Sequence, residues 1–405
     1  MDYVGRIDEQ GYKITRIDNE DLYGHGPKWN ASIIDHNGKR LLSYRQYDPR
    51  LRIGEGNGMT ICISELNKKN LPTGKYWPLD LHGIGQYQIF EDARLFHFQG
   101  DLWLSYTEVV FLDPSKSMKK VESIAQHACK LEGETFKCSN RITLNYGLNT
   151  ERFGWEKNWC WFEWEGRLFM VYDPRFNTVL EVCPHSGTIK KEWKHDDLKW
   201  PYGHFRGGTP PVLHKGEFIS FWHGSTDDPL LYRRYYIGAY TFEAKPPFRP
   251  LRVSKTPIIY GSSNEWYCGA GNNMCIFPMG KRRIAKGWQI AAGINDSFCG
   301  VIDVPDASLN LVDWGYHKDL DWKFYRMAPA QPYLTMSGFR DEYRITRTSG
   351  MTGNVAVLKT KDPFTILAME ESRNVTPLSK DEFLEELKGL ERQLTEEHKY
   401  SYLGE

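Results

Sequence analysis

Six residues in the first 223 positions are of the types that bind anions and move protons: Arg45, Asp92, Arg94, Lys157, Arg206 and His223. Cations crowded together repel one another unless an anion sits among them, so one carboxylate among several cations suits a site that receives an anion. Arginine offers a planar fork that matches phosphate, and lysine adds a point charge. There Asp92 can serve as general acid on a leaving oxygen while a bound phosphate attacks a sugar carbon. Trp155, Trp159, Trp161 and Tyr87 supply aromatic faces of the kind that stack on sugar rings.

Each signal also has a plainer reading. Asp92 and Arg94 can form a structural ion pair. The run Arg206-Gly207-Gly208-Thr209-Pro210-Pro211 can be a tight turn whose glycines take positive φ. A histidine at a strand end, such as His223, can be a satisfied core residue. Lys157, flanked by Trp155 and Trp159, needs a partner if it lies in a core.

What positions these residues is a repeat. Each copy has a polar opening, a short strand, a turn and a second strand. The first four turns are Asn37-Gly38, Gly100-Asp101, Glu165-Gly166 and Lys215-Gly216, and the openings begin at Asn30, Glu91, Lys157 and Arg206. A fifth, weaker copy runs from Asn272 to Phe277 and on to Trp288–Gly293. With Tyr44, Tyr106, Tyr172, Trp222 and Ala292 taken as equivalent, the steps are 62, 66, 50 and 70 residues. Propeller blades run about 40 to 50 residues in common repeat families, so these are blades with long loops. A β-sandwich yields similar strands, but five matching polar openings favour radial symmetry. The expected fold is all-β, a five-bladed β-propeller over 28–305, with the openings converging on a central channel. Residues 1–27 read as an N-terminal extension and 306–405 as a C-terminal one. Ser379-Lys380-Asp381-Glu382 has the form of a capping box, and Phe383, Leu384, Leu387, Leu390 and Leu394 follow at helical spacing, which predicts a helix over about 380–397. Its apolar face would pack on the propeller or on a second copy in a homo-oligomer.

Composition narrows the function classes. In the 405 residues, 52 Lys and Arg balance 52 Asp and Glu, which argues against nucleic acid or anionic lipid as partners. Lys281-Arg282-Arg283 and Arg233-Arg234 read as solvated loops. No signal peptide or membrane-length apolar run is evident, so the expected compartment is cytoplasmic, with no membrane partner. The eight cysteines are scattered without C-x-x-C spacing, which speaks against a metal site and a disulfide framework. The glycines at 54, 56 and 58 lack dinucleotide-fold spacing, and no Walker, G-x-S-x-G or H-E-x-x-H motif is present.

Taken together, the motifs resemble glycoside hydrolase family 130, the five-bladed propellers that include inverting β-mannoside phosphorylases. The likeness spans roughly 28–305. It rests on Leu42-Ser43-Tyr44-Arg45, Glu91-Asp92-Ala93-Arg94, Glu156-Lys157-Asn158-Trp159, Arg206-Gly207-Gly208-Thr209-Pro210-Pro211, Trp222-His223-Gly224-Ser225 and Gly293-Ile294-Asn295-Asp296. The resemblance implies that Asp92 is the general acid, protonating the glycosidic oxygen through a substrate hydroxyl. It implies that Arg45, Arg94, Lys157, Arg206 and His223 hold phosphate. It also places Asp296 on the sugar, with Asn158, Trp159 and Tyr106 as further substrate contacts. Ala93 stands where the family has proline, and Trp161 precedes Phe162 where the family tends to have proline. Arg50 and Arg52 are extra cations suited to a nucleotide diphosphate.

The leading expectation is an inverting phosphorylase acting on a β-mannoside, with phosphate in the channel and no metal or redox cofactor. A mannosyltransferase using a nucleotide sugar in the same pocket is the alternative. A non-catalytic carbohydrate-binding propeller is the third.

Overall fold

The computed structural model describes residues 5–47, 59–81, 83, 87–112, 121–144, 157–196, 198, 200, 202, 204–227, 233–263, 265, 274–317, 323–327, 356–360, 375–386 and 388. Five antiparallel sheets form five blades. Blade one is Lys28–His36, Lys39–Tyr47, Met59–Leu66 and Pro72–Pro78. Blade two is Tyr87–Phe98, Asp101–Phe111, Val121–Glu132 and Lys137–Leu144. Blade three is Cys160–Trp164, Arg167–Asp173, Thr178–Val182 and Ile189–Trp193.

Blade four is more broken. Its inner strand is split into His204–Arg206 and Val212–His214, both paired with Glu217–Asp227. Arg233–Glu243 follows, and then Pro250–Ser254, with Leu311–Asp313 added at the edge. Blade five is Ile276–Ile284, Gly287–Ile294 and Phe298–Pro305, and its outer strand is Lys13–Ile17. The stretch read as an N-terminal extension therefore closes the ring, pairing the chain's start with its fifth blade.

Strand alternation explains why the blades stack. Along Asp101–Phe111, Leu102, Leu104 and Tyr106 face blade one and pack with Leu41, Ile61 and Ile63. Trp103, between them, faces blade three and packs with Trp161 and Met170. Blade three repeats the device: Leu168 and Met170 face blade two, whereas Phe169 and Val171 face blade four. Further cores join blades four and five and blades five and one. Five blades with five apolar seams make a closed ring.

The seam between blades three and four is the most aromatic. Phe248, from the turn after Arg233–Glu243, is fully buried, with ring centroids of Phe169 at 5.1 Å, Trp193 at 5.3 Å and Phe162 at 5.8 Å. Edge-to-face pairs of this kind add to the area they bury.

Three sequence readings need correction. Lys281-Arg282-Arg283 is no solvated loop but part of the inner strand Ile276–Ile284. Lys281 is buried, Arg282 bonds Asp35 at 2.8 Å, and Arg283 grips Asp306 with two nitrogens. Arg233 and Arg234 likewise begin a strand. The cysteines are not all separate: Cys129 and Cys138, on neighbouring strands of blade two, form a disulfide.

At the C-terminus, 323–327, 356–360 and 375–378 form a small sheet. The helix begins where its capping box sits: Ser379 N–H donates to Glu382 and Glu382 N–H to Ser379 Oγ. It is described over 380–386 and at 388, and the rest of the predicted span lies outside the described residues. No helix among the described residues is long and apolar enough to cross a membrane.

Phe248→Ala removes the ring on which the aromatic seam converges. The expected loss is about 3–5 kcal/mol of unfolding free energy, read as a lower urea midpoint with an unchanged slope.

Candidate active site

The inner strands of blades one and two are distorted at matching positions. Pairing slips between Trp29 and Ser32 in blade one and between Glu91 and Arg94 in blade two. In these bulges Asn30 (φ 55°) and Asp92 (φ 54°) take the left-handed conformation, and Asn158 (φ 70°) does so at the opening of blade three. Asparagine and aspartate tolerate that region better than other side-chain-bearing residues. A bulge re-aims a side chain that a regular strand would send into a seam. In blade four Gly207 breaks the strand instead, and a Cβ there would collide with the Asn158 carbonyl.

Asp92 is the centre of the cluster and is 3% exposed. Asn30 Nδ2 donates to its Oδ1 at 2.7 Å, and Arg45 Nη1 lies 3.6 Å away. Burial pushes the Asp92 carboxyl up, but Arg45, Lys157, Arg94 and the Asn30 amide together outweigh it and hold the pKa below the ordinary value. The carboxylate is therefore ionised at neutral pH.

Arg45 lies 3.0 Å from Glu91 Oε1 and stacks over Trp29 at 4.4 Å. Burial opposes its charge, but Glu91, Asp92 and Asp296 favour it more strongly. This phosphate candidate is thus already engaged by carboxylates. Arg94 departs further from expectation. It is fully buried, and it donates to the Gly208 carbonyl at 2.7 Å, the Asp92 carbonyl at 3.1 Å and Asn158 Oδ1 at 3.2 Å. Its partner in Asp92 is the backbone oxygen, and its three bonds tie it into the channel wall. Its charge still reaches Asp92 and His223.

Arg206 pairs with His223 across two strands of blade four. Burial, then Arg206, Arg94 and Lys157, hold the His223 pKa well below its ordinary value, opposed only by the Gly207 backbone. His223 is neutral here and can meet an anion only as a hydrogen-bond donor. Its Nδ1 is buried with no partner, and its ring lies 4.2 Å from that of Phe277. Lys157 acts on both Asp92 and His223, which places it between the acid and the basic side of the channel.

Blade five completes the circle. Asp296 (φ 47°) acts on Arg45, and Cys275 Sγ lies 3.9 Å from its Oδ1. Asn295 fixes this corner: its Oδ1 accepts from Cys275 N–H at 2.8 Å and its Nδ2 donates to Ser262 at 3.1 Å. Burial, then Asp296 and Asp92, push the Cys275 thiol well up, so it stays neutral.

Arg45, Asp92, Asn158, Lys157, Arg206, His223 and Asp296 are therefore linked by contact, pairing or charge around one centre. Trp159 and Tyr106 are not among them. Trp159 is core between blades two and three, against Tyr172, and Tyr106 is core between blades one and two, edge-on to Phe90. Trp161 is core as well, and Tyr87 is half-buried against a small cluster in blade two. Arg50, Arg52 and Trp155 lie outside the described residues. Asn30, Glu91 and Cys275 were not assigned from sequence. Asn30 could have been, because it stands in the first repeat where Asp92 stands in the second. Among the described residues no His, Cys, Asp and Glu cluster could hold a metal.

The fold has known counterparts in solved structures. The chain is similar to the β-1,2-mannobiose phosphorylase from Listeria innocua, with 16% identity, a TM-score of 0.52, and 70% of this chain and 90% of that one covered. It is similar to a putative glycoside hydrolase from Parabacteroides distasonis, with 14% identity, a TM-score of 0.53 and coverage of 70% and 88%. A GDP-Man-dependent mannosyltransferase from Leishmania mexicana gives 12% identity, a TM-score of 0.50 and coverage of 74% and 93%. At these identities the likeness establishes the shared propeller fold. No family model and no curated protein match the sequence.

The neutrality of His223 has a measurable consequence. The unfolded chain binds a proton at this histidine below about pH 6.5 and the folded protein refuses it, so stability falls as pH drops through that range. His223→Gln should flatten the slope of unfolding free energy between pH 6.5 and 5 by up to about 1.4 kcal/mol per pH unit. Urea titrations at several pH values would read it, and an unchanged slope would mean that the histidine titrates normally.

Proposed function

We propose that this protein is an inverting glycoside phosphorylase acting on a β-mannoside. The observation that carries the reading is Asp92: a single buried carboxylate, held by Asn30 and Arg45 at the channel bulge, with Lys157 reaching from it towards Arg206 and His223. The likeness to a mannobiose phosphorylase fold supports the choice of sugar.

In this reading phosphate sits on the Lys157, Arg206 and His223 side of the channel. Lysine and arginine supply charge, and the neutral imidazole supplies an N–H. The sugar lies between Asn158 and Asp296. Phosphate attacks the anomeric carbon from one face while Asp92 delivers a proton to the glycosidic oxygen on the other, through a sugar hydroxyl. Attack and departure on opposite faces invert the configuration. Arg45, paired with Glu91, orients Asp92 rather than holding phosphate.

A mannosyltransferase using a nucleotide sugar is the second reading, favoured by the likeness to the GDP-Man-dependent enzyme. A non-catalytic carbohydrate-binding propeller is the third, since fold alone does not assign activity.

A donor comparison separates the three. Mannose 1-phosphate or GDP-mannose is supplied with a panel of sugar acceptors, and released phosphate and GDP are assayed separately. Phosphate release from mannose 1-phosphate alone is expected. GDP release selects the transferase, and release of neither selects the binding protein.

Asp92→Asn should lower turnover by about 10²–10⁴-fold, the usual worth of a general acid, while sugar binding persists. Lys157→Ala should weaken phosphate by at least about tenfold, equivalent to 1.4 kcal/mol. Intact phosphate affinity in that variant would remove Lys157 from the site.

A further inference from the structure

The break in blade four's inner strand leaves backbone that the ladder does not hold. Between Arg206, paired with His223, and Val212, paired with Ile219, five residues (207–211) face only three (220–222). Pro210 and Pro211 lack an N–H and cannot join a ladder as donors. Thr209 fastens the stretch to its own blade. Its N–H donates to the Phe221 carbonyl at 2.8 Å, its Oγ1 accepts from Phe221 N–H at 3.0 Å, and its carbonyl accepts from Ser220 Oγ at 2.6 Å. The carbonyls on either side are met from other blades: that of Gly208 by Arg94 at 2.7 Å, and that of Pro210 by Lys281.

Lys281 lies on the inner strand of blade five, opposite Ile290, on the face packed against blade four. It is buried, and its Nζ meets two oxygens, the Pro210 carbonyl and Thr209 Oγ1, the latter at 3.1 Å. Among the described residues no carboxylate pairs with it. Burial pulls its pKa down to about 7, opposed by the Cys160 thiol of blade three, which Arg94 also reaches. A neutral amine carries two N–H groups, which matches the two oxygens, whereas an ammonium carries a third.

We propose that Lys281 is a positioning residue for anion binding: from blade five it fixes the stretch 207–211 of blade four, and with it Arg206, which heads that stretch. The inference rests on the reading of the channel as a phosphate site. Gly207 and Gly208 bring no side chain of their own and lie directly on backbone, the first against the Asn158 carbonyl and the second against the Phe221 carbonyl. The place of Arg206 along the channel therefore depends on what holds the residues just beyond these glycines. Without the Lys281 donors the buried Pro210 carbonyl loses its partner, which costs more than the bond itself contributes. The stretch then shifts to find another, and the shift passes to Arg206. His223 stays where it is, because its strand remains in the regular ladder with Ile237. Asn158 and Asp296, on the sugar side, belong to other blades.

The test is calorimetric titration of the full chain at pH 8 with inorganic phosphate and, separately, with mannose. At that pH Lys281 is chiefly neutral, so Lys281→Met removes its two N–H bonds with little change of charge. Methionine keeps an unbranched apolar stem in an apolar seam, and a thermal melt checks the fold. Lys281→Met should weaken phosphate by about tenfold. Its mannose affinity should stay within about twofold of wild type. Lys281→Gln, with two N–H donors on a shorter arm, should fall between wild type and Lys281→Met for phosphate. Ile290→Val, in the same seam, should leave phosphate affinity unchanged. Unchanged phosphate affinity in Lys281→Met, or equal losses of phosphate and mannose, would overturn the positioning role while leaving the phosphate site in place. So would a loss in Ile290→Val or Lys281→Gln as large as that in Lys281→Met. If Lys281→Met does not fold, Lys281→Gln against wild type decides on the same terms: weaker phosphate with mannose retained is expected, and anything else overturns the role. Failure of the wild type itself to bind phosphate would overturn the reading on which the inference rests, and the inference with it.

Discussion

Arg94 is a guanidinium with no access to water, and the centre of this molecule is arranged around satisfying it. A buried charge is tolerated only when its donors find acceptors. Arg94 finds them on three blades: its own at the Asp92 carbonyl, blade three at Asn158 Oδ1, and blade four at the Gly208 carbonyl. Those contacts lie at the level where the inner strands bulge or break. The residue that ties the blades together therefore also fixes the backbone of the acid and the break beside Arg206. Apolar seams hold the blades against one another, but they are non-directional and tolerate small slips. The hydrogen bonds of Arg94 do not.

The same charge also acts on its neighbours in the channel. With Arg45 and Lys157 it holds the Asp92 pKa down against burial, and with Arg206 and Lys157 it adds to the burial that keeps His223 neutral. Burial discharges the imidazole and the neighbouring cations add to that effect, whereas at the carboxylate the cations outweigh burial and favour the charged form. Arg45 is itself met by Glu91 at 3.0 Å. The site is thus not a bare cluster of cations awaiting an anion. Among the described residues it is a network of paired charges, with Arg45 set between Glu91 and Asp92.

Much of the fold was legible in sequence, and the reason is local. Four of the five turns and the paired strands around them occupy contiguous segments, so alternation and glycine punctuation mark them. Lys13–Ile17 was not legible, because its partner strand Phe298–Pro305 lies at the far end of the propeller and nothing local signals the pairing. The aromatics were misread for a different reason. In a half-exposed sheet, alternation separates core from surface. Here both faces of each blade are buried, so Tyr106 and Trp103 alternate between two seams and neither faces the channel. Position along the inner strand, rather than residue type, decides which side chain reaches the axis.

That rule explains how a repeated architecture came to hold one acid. Asn30, Asp92 and Asn158 hold equivalent positions in successive blades, each with positive φ, the first two in a bulge of the inner strand and the third just before it. The backbone strain is common to all three, and so is the preference for a short polar side chain that it imposes. Asparagine satisfies the geometry twice without bringing a charge. At the second blade the amide is replaced by its isosteric carboxyl, and Asn30 turns its own amide to meet it at 2.7 Å. The difference between an uncharged scaffold position and a titratable one is then one heavy atom, and the neighbouring blade already supplies the group that holds the carboxylate in place. Placement of chemistry at the axis needs no special loop, only a change of one side chain at a position the repeat has already strained and aimed.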